Sequence, residues 1–208
     1  MKKKIDFRNI NYSMPPCLGI KYAVLILLCE MDGEVHILFE VRSRRLSANA
    51  QPGDISLPGG MCECDDVVGE ALRETEEEVG IQSEQIEILG QMNPMTTGYG
   101  RNVTPVVGYI DALDTDKLKL NLNEVEEVFF VPLSFFLTAK PERHIICYDV
   151  VFNDEFPFEK IENGRNYKWK QRREEILFYF YEEYNIWGLT AKIIEAFVNV
   201  LRANEVTK

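Results

Sequence analysis

Runs of apolar residues bounded by turn residues predict most of the secondary structure of this 208-residue chain. Tyr22 to Cys29 is an unbroken apolar run, which is typical of a strand buried on both faces. The turn Met31-Asp32-Gly33-Glu34 then leads into a second strand over 35–42, so these two strands form a hairpin. Further strands are predicted over 86–91, 103–111, 127–131 and 145–152.

A first helix is predicted from about Asp65 or Asp66 to Val79. Aspartate suits the start of a helix as a cap, and Gly80 suits its end because glycine accepts a left-handed backbone. Apolar residues at helical spacing form the stripe that we expect to be buried. This stripe consists of Val68, Ala71, Leu72, Thr75 and Val79.

A second long helix is predicted over 188–203, and a short helical turn over 132–137. Helices that alternate with a mixed sheet predict an α/β/α sandwich in a single domain over 1–208. Residues 1–20 are predicted to be an N-terminal extension. The charged and aromatic stretch over 153–175 is predicted to be an insertion, with a hairpin turn at Asn163-Gly164.

The first helix carries a row of carboxylates that predicts a cation site. Glu74, Glu77 and Glu78 lie three and four positions apart and therefore share a face, where like charges cost roughly 0.2–0.5 kcal/mol per pair. A divalent cation with oxygen ligands would remove that repulsion. A solvated acidic face is the alternative, but the Gly59-Gly60 turn and Arg73 inside the row favour a metal site. The neighbouring Glu70 and Glu76 are interpreted as helix surface.

Residues 59–81 resemble the Nudix box, the signature of hydrolases that cleave nucleoside diphosphates linked to another group. From Arg73 to Ile81 the match holds at every charged and glycine position of that pattern, and no catalytic role is assigned to Asp65. The resemblance implies that Glu74, Glu77 and Glu78 bind the metal, together with a backbone carbonyl of Gly59 or Gly60. It also implies a Nudix-type α/β/α sandwich with a mixed β-sheet. Arg73 is implied to orient the carboxylates.

The general base is implied to be a box glutamate or a carboxylate on a later loop. Glu124 is the candidate on that loop and Glu126 a weaker one, although both are equally compatible with solvated loop charges.

The segment before the box is similar to the coenzyme A pyrophosphatase branch of the family. Within residues 38–60 the matching positions are Arg42, Ser43, Gly53, Leu57 and Pro58. Residues 104–108 and 186–191 extend the similarity along the chain. Asn49 and Arg44-Arg45 depart from the branch pattern, so the contacts to the coenzyme's phosphates are open in detail.

The resemblance implies a Mg²⁺- or Mn²⁺-dependent hydrolase that splits coenzyme A or a derivative into 4'-phosphopantetheine and adenosine 3',5'-bisphosphate. The implied substrate contacts are Arg42, Ser43, Gly59, Gly60 and Tyr99. A Nudix enzyme for nucleoside triphosphates or ADP-ribose is one alternative. A catalytically silent Nudix-like binding module is the other, and the complete set of box glutamates argues against it.

The net charge of −11 disfavours nucleic acid and anionic membranes as partners. An acidic substrate then needs local positive charge, which bound cations and Arg42, Arg44, Arg45 and Arg101 are expected to supply. Five cysteines without a paired CxxC frame favour reduced thiols. With no apolar segment behind Met1-Lys2-Lys3-Lys4 and no membrane span, a cytoplasmic location is expected. A homodimer is left open.

Overall fold

The computed structural model describes residues 20–62, 65–97 and 100–205. The helices are α1 (Val67–Val79), α2 (Leu133–Thr138) and α3 (Gly188–Glu205). The strands are β1 (Lys21–Met31), β2 (Glu34–Arg42), β3 (Ile55–Ser56), β4 (Gly59–Met61), β5 (Glu87–Gln91), β6 (Met95–Thr96), β7 (Asn102–Ile110), β8 (Val125–Pro132), β9 (Glu142–Tyr148), β10 (Arg172–Tyr181) and β11 (Tyr184–Trp187).

The main sheet is mixed, as the sequence predicted. Strands β1 and β7 run parallel, whereas the other pairs in this sheet are antiparallel. The first half of β2 pairs with the end of β1, and its second half pairs with β3. The start of β1 pairs instead with β4. The segment from β3 to β4 therefore occupies a split between β1 and β2, and it brings the glycine turn into the sheet.

Helices cover both faces of this sheet, which confirms the predicted α/β/α architecture. Helix α1 packs on one face over a small core that includes Leu25, Leu38, Ala71 and Val79. Helices α2 and α3 pack on the other face over a larger core that includes Phe39, Phe136, Ile194 and Phe197. The β2 strand serves both cores because its successive side chains point to opposite faces.

Strand β9 does not join the main sheet, which corrects the predicted placement of 145–152. It forms a separate antiparallel sheet of order β11-β10-β9, and it ends at Tyr148. The hairpin between β10 and β11 turns at Glu182, with φ 51°. Leu177 on β10 and Ile186 on β11 join the larger core, whereas β9 is the exposed edge strand of this sheet.

The predicted hairpin turn at Asn163-Gly164 is also wrong. Asn163 does adopt a left-handed backbone with φ 67°, but a short 3-10 turn follows it and no strand flanks it. The aromatic side chains of this region pack on one another instead, as in the pair Phe152 and Trp169, whose ring centroids lie 5.2 Å apart. Residues 172–175 belong to β10, so the irregular part of the predicted insertion ends before them.

Helix α1 has a cap at each end and a direct connection to a later loop. The Asp66 carboxylate accepts a hydrogen bond from the Gly69 amide at 2.9 Å, and Gly80 ends the helix with φ 78°. The carbonyl of Glu78 accepts a hydrogen bond from the Asn121 amide at 2.9 Å. The loop before β8 is therefore anchored to the last turn of α1. None of the helices in the described ranges combines the length and apolarity required to span a bilayer.

Candidate active site

Glu78 lies at the centre of the site and is buried, with 4% of its surface exposed. The Gly59 amide donates a hydrogen bond to its Oε2 atom at 2.8 Å. Burial raises the pKa of the Glu78 carboxyl, and the charge of Glu40 raises it further. Gly59 has φ 152°, and an added Cβ would lie 2.2 Å from the Ala23 carbonyl oxygen. Glycine at this position therefore lets β4 approach β1 and reach Glu78.

Gly60 contacts the second carboxylate of the helix, Glu74. A Cβ added to Gly60 would lie 2.3 Å from the Glu74 Cδ atom, so the carboxylate rests directly on the glycine backbone. Burial raises the pKa of Glu74, while the charge of Arg73 opposes this shift. The two glycines of the turn thus hold one helix carboxylate each.

Arg73 pairs with three carboxylates of its own helix. Its guanidinium contacts Glu70 and Glu74, and its Nη1 atom lies 2.7 Å from Glu77 Oε1. These hydrogen bonds, that of Glu70 first, raise the pKa of Arg73. Glu70 was predicted to be helix surface, but it is buried with 6% exposed because it packs beneath Arg73. Glu76 instead accepts a hydrogen bond from the Ser83 hydroxyl at 3.2 Å.

Glu40 is a buried carboxylate of this site that the sequence analysis missed. It lies on β2 with no exposed surface, and the Ser56 hydroxyl donates to its Oε1 atom at 2.8 Å. Its Oε2 atom is buried and has no hydrogen-bond partner among the described residues. Burial raises the pKa of Glu40, and the charges of Glu124 and Glu74 add to that shift. The sequence did contain an indication of Glu40, because an acidic residue at a buried position of an apolar strand is unusual.

Arg42 and Ser43 end β2 beside these carboxylates. The Arg42 Nε atom donates to the Ala50 carbonyl at 2.9 Å, which closes the loop after β2. Its positive charge lowers the pKa of Glu40 and of Glu78, against the larger effect of burial. The Ser43 hydroxyl is buried and donates to the Leu122 carbonyl at 2.9 Å. Ser43 thus positions the loop before β8, and its predicted contact to substrate stays a prediction.

The loop before β8 places Glu124 and Glu126 differently. Glu124 is half-buried, and its carbonyl accepts a hydrogen bond from the Ser43 amide at 2.8 Å. Its carboxylate is close enough to raise the pKa of Glu40. Glu126 is exposed and pairs with Arg44 at 3.4 Å. Of these two candidates for the general base, the structure brings only Glu124 to the carboxylate group.

The sequence analysis also named Asp65, without a role, and Tyr99, as a substrate contact. Asp65 is exposed and pairs with Lys21 at 2.5 Å. Tyr99 lies outside the described residues.

The carboxylates fit a hard divalent cation. The charge of Glu74 raises the pKa of both Glu40 and Glu78, and a buried oxygen of Glu40 has no donor among the described residues, so the group lacks a positive partner that a cation would supply. Within 20–62, 65–97 and 100–205, no three acidic, imidazole or thiol side chains are already arranged to enclose an ion. Arg73 pairs with Glu74 and Glu77, and a cation would replace part of that pairing.

A shallow cleft of about 370 Å³ lies on the opposite face of β2. Val41, Asp54 and Trp187 line it, together with Glu127 and Glu183. The Trp187 indole hydrogen-bonds to the Asp54 carboxylate and lowers its pKa, against a larger effect of burial. None of the predicted metal-binding glutamates lines this cleft.

Comparisons with known proteins agree with this geometry. Residues 19–149 match the NUDIX domain. The human mitochondrial coenzyme A diphosphatase NUDT8 is 31% identical over 182 residues, which cover 86% of this chain and 68% of the human protein. The mouse peroxisomal coenzyme A diphosphatase NUDT7 is 39% identical over 120 residues, which cover 56% of this chain and 49% of the mouse protein.

Among solved structures, a Caenorhabditis elegans Ap4A hydrolase binary complex matches with a TM-score of 0.46 and 21% identity. The match covers 54% of this chain and 80% of the worm chain.

Proposed function

The chain belongs to the NUDIX domain family, and we propose that it hydrolyses the diphosphate bond of coenzyme A or a derivative. The proposed products are 4'-phosphopantetheine and adenosine 3',5'-bisphosphate. The observation that carries this proposal is the similarity to a coenzyme A diphosphatase over 182 residues, which cover 86% of the chain.

Nudix hydrolases generally act with divalent metal ions, and we propose Mg²⁺ or Mn²⁺ for this enzyme. Glu74, Glu77 and Glu78 would hold the ion together with the Gly60 carbonyl. When bound, such an ion polarises phosphoryl oxygens and lowers the pKa of a water ligand. Arg73 would keep the helix carboxylates oriented before binding, because it already contacts Glu74 and Glu77.

The remaining residues would bind the diphosphate and move the proton. Gly59 and Gly60 would contact the substrate through their backbone, which lies directly against the helix carboxylates. Arg42 supplies positive charge at the edge of the acidic group, as its effect on the pKa of Glu78 shows. The carboxylate of Glu124 is proposed to accept a proton from the attacking water. Of the two candidates on this loop, it is the one whose charge acts on Glu40.

A substrate panel tests the proposal directly. Purified protein with Mg²⁺ or Mn²⁺ is incubated with coenzyme A, acyl-coenzyme A, ADP-ribose and nucleoside triphosphates, and products are separated by chromatography. We expect 4'-phosphopantetheine and adenosine 3',5'-bisphosphate in equal amounts, and no product after chelation. A higher kcat/KM for ADP-ribose or a nucleoside triphosphate than for every coenzyme A species would overturn the substrate assignment.

The cytoplasmic location and the open question of a homodimer remain predictions. Cell fractionation and sedimentation of the full chain are the measurements that test them.

A further inference from the structure

Glu40 approaches the helix carboxylates from the sheet. It faces the α1 side of β2, since Leu38 two residues earlier packs in the core beneath α1. In the register of the sheet, Glu40 lies opposite Ser56. The same segment continues to Gly59 and Gly60, which hold Glu78 and Glu74. The sheet and the helix therefore present carboxylates to one small volume at the split between β1 and β2.

The Glu40 carboxylate is fixed at one oxygen and open at the other. Ser56 donates to Oε1 at 2.8 Å, while Oε2 is buried without a donor among the described residues. A buried carboxylate oxygen without a partner is costly, and a buried charge more so. The charge of Arg42 offsets this cost only in part, because its Nε atom donates to the Ala50 carbonyl and Glu40 Oε2 receives no hydrogen bond from the described residues.

From this arrangement we propose that Glu40 supplies an additional ligand to the divalent cation site, through Oε2. This inference rests on the proposed function for the presence of the cation. A hard cation accepts several carboxylate oxygens, and it would remove both the unsatisfied acceptor and the repulsion between Glu40 and Glu78. The ligands of the site would then come from two elements, α1 and β2.

The test measures Mn²⁺ binding to the full chain by electron paramagnetic resonance, without any substrate. Glu40→Gln keeps the shape of the side chain and removes the charged ligand. We expect it to weaken Mn²⁺ binding by at least about tenfold. Glu34→Gln is the matched control, since it changes an exposed carboxylate on the same strand, and it should leave the affinity within about twofold of the native protein.

A purely structural role for Glu40 gives different results. If Glu40 only shares a proton with Glu78, Glu40→Gln leaves Mn²⁺ affinity and stoichiometry unchanged, and the proposal is overturned. Ser56→Ala provides a second variant that keeps the charge but frees Oε1, and we expect a smaller loss of affinity from it. A crystal of the native chain soaked in Mn²⁺ is independent of any variant. It should place Glu40 Oε2 about 2.1–2.3 Å from the ion, and a distance beyond 4 Å would also overturn the proposal.

These readouts separate this inference from the coenzyme A assignment. Glu40-dependent Mn²⁺ binding in a protein that does not cleave coenzyme A would refute the substrate assignment alone. Cleavage of coenzyme A with Mn²⁺ binding that does not depend on Glu40 would refute the role of Glu40 alone.

Discussion

The layer between the main sheet and α1 buries three carboxylates, those of Glu40, Glu70 and Glu78. The layer between the sheet and α3 buries no carboxylate among the described residues. The α3 face is filled by aromatic and aliphatic side chains, such as the stacked rings of Phe39 and Phe129 with centroids 5.5 Å apart. One sheet therefore carries two different interiors. The comparison teaches that the α3 face stabilises the domain by apolar packing, while the α1 face buries carboxylates whose charged form is unfavourable there.

The largest expected effect is on catalysis at the α1 face. Glu77→Gln removes a proposed metal ligand whose side chain is 55% exposed, so the fold should lose little stability. We expect kcat to fall by about a thousandfold, which corresponds to ~4 kcal/mol in the activation barrier. Steady-state kinetics with coenzyme A measure this. Glu76→Gln, one residue away on the same helix, should change kcat by less than about twofold, and equal losses in both variants would contradict the metal assignment.

The next effect is on stability at the α3 face. Ile194→Ala removes a fully buried side chain and should lower the free energy of unfolding by about 3 kcal/mol, because the cavity collapses only partly. Chemical denaturation measures the loss, and kcat of the folded enzyme should remain native. Val200→Ala on the same helix is the control, since Val200 is 47% exposed and should cost much less. A loss of kcat in Ile194→Ala would show that the two interiors are not independent.

A smaller effect is the pH dependence of stability without divalent cations. Burial raises the pKa values of Glu40 and Glu78 above the ordinary 4.5, so the folded state holds protons that the unfolded state releases. The stabilisation that these two groups contribute is therefore fully present below pH 4.5. It is lost as the pH rises through their raised pKa values.

Between pH 5 and 9 we expect the free energy of unfolding to fall as pH rises, measured by thermal unfolding in a chelator. Saturating Mg²⁺ should reduce this loss, because it stabilises the ionised carboxylates. Glu40→Gln should flatten the profile, and a profile that rises with pH would contradict the charge assignment.

The smallest effect concerns the start of α1. Asp66→Ala removes the acceptor for the Gly69 amide and should cost about 1 kcal/mol of stability, as N-cap substitutions do. The adjacent Asp65→Ala is the control, because Asp65 caps nothing and only pairs with Lys21 at the surface. Similar unfolding midpoints for the two variants would show that the cap contributes little to the placement of the carboxylates.

The local pattern of the chain was sufficient to predict α1, the hairpin of β1 and β2, and the mixed sheet. Helical periodicity and turn residues involve positions only a few residues apart, so they can be recognised in a single sequence. Glu40 was missed because its place in the site follows from its contact with Ser56 and its proximity to α1, and both are distant from it in sequence. The hydrogen bond from the Ser43 hydroxyl to the Leu122 carbonyl could not be predicted either, because 79 residues separate the two. Strand β9 was misplaced for the same reason, because the first four residues of its partner β10 were taken as part of an insertion.

The chain contains two tryptophans, and the fold separates them. Trp169 packs within the aromatic group between β9 and β10, whereas Trp187 hydrogen-bonds to Asp54 in the segment that leads from Arg42 to the glycine turn. In a Trp169→Phe protein, Trp187 is the sole indole fluorophore, and its emission follows the loop beside the active site. The enzyme thus carries a built-in optical reporter, with which ligand binding can be timed by stopped-flow fluorescence without an attached dye.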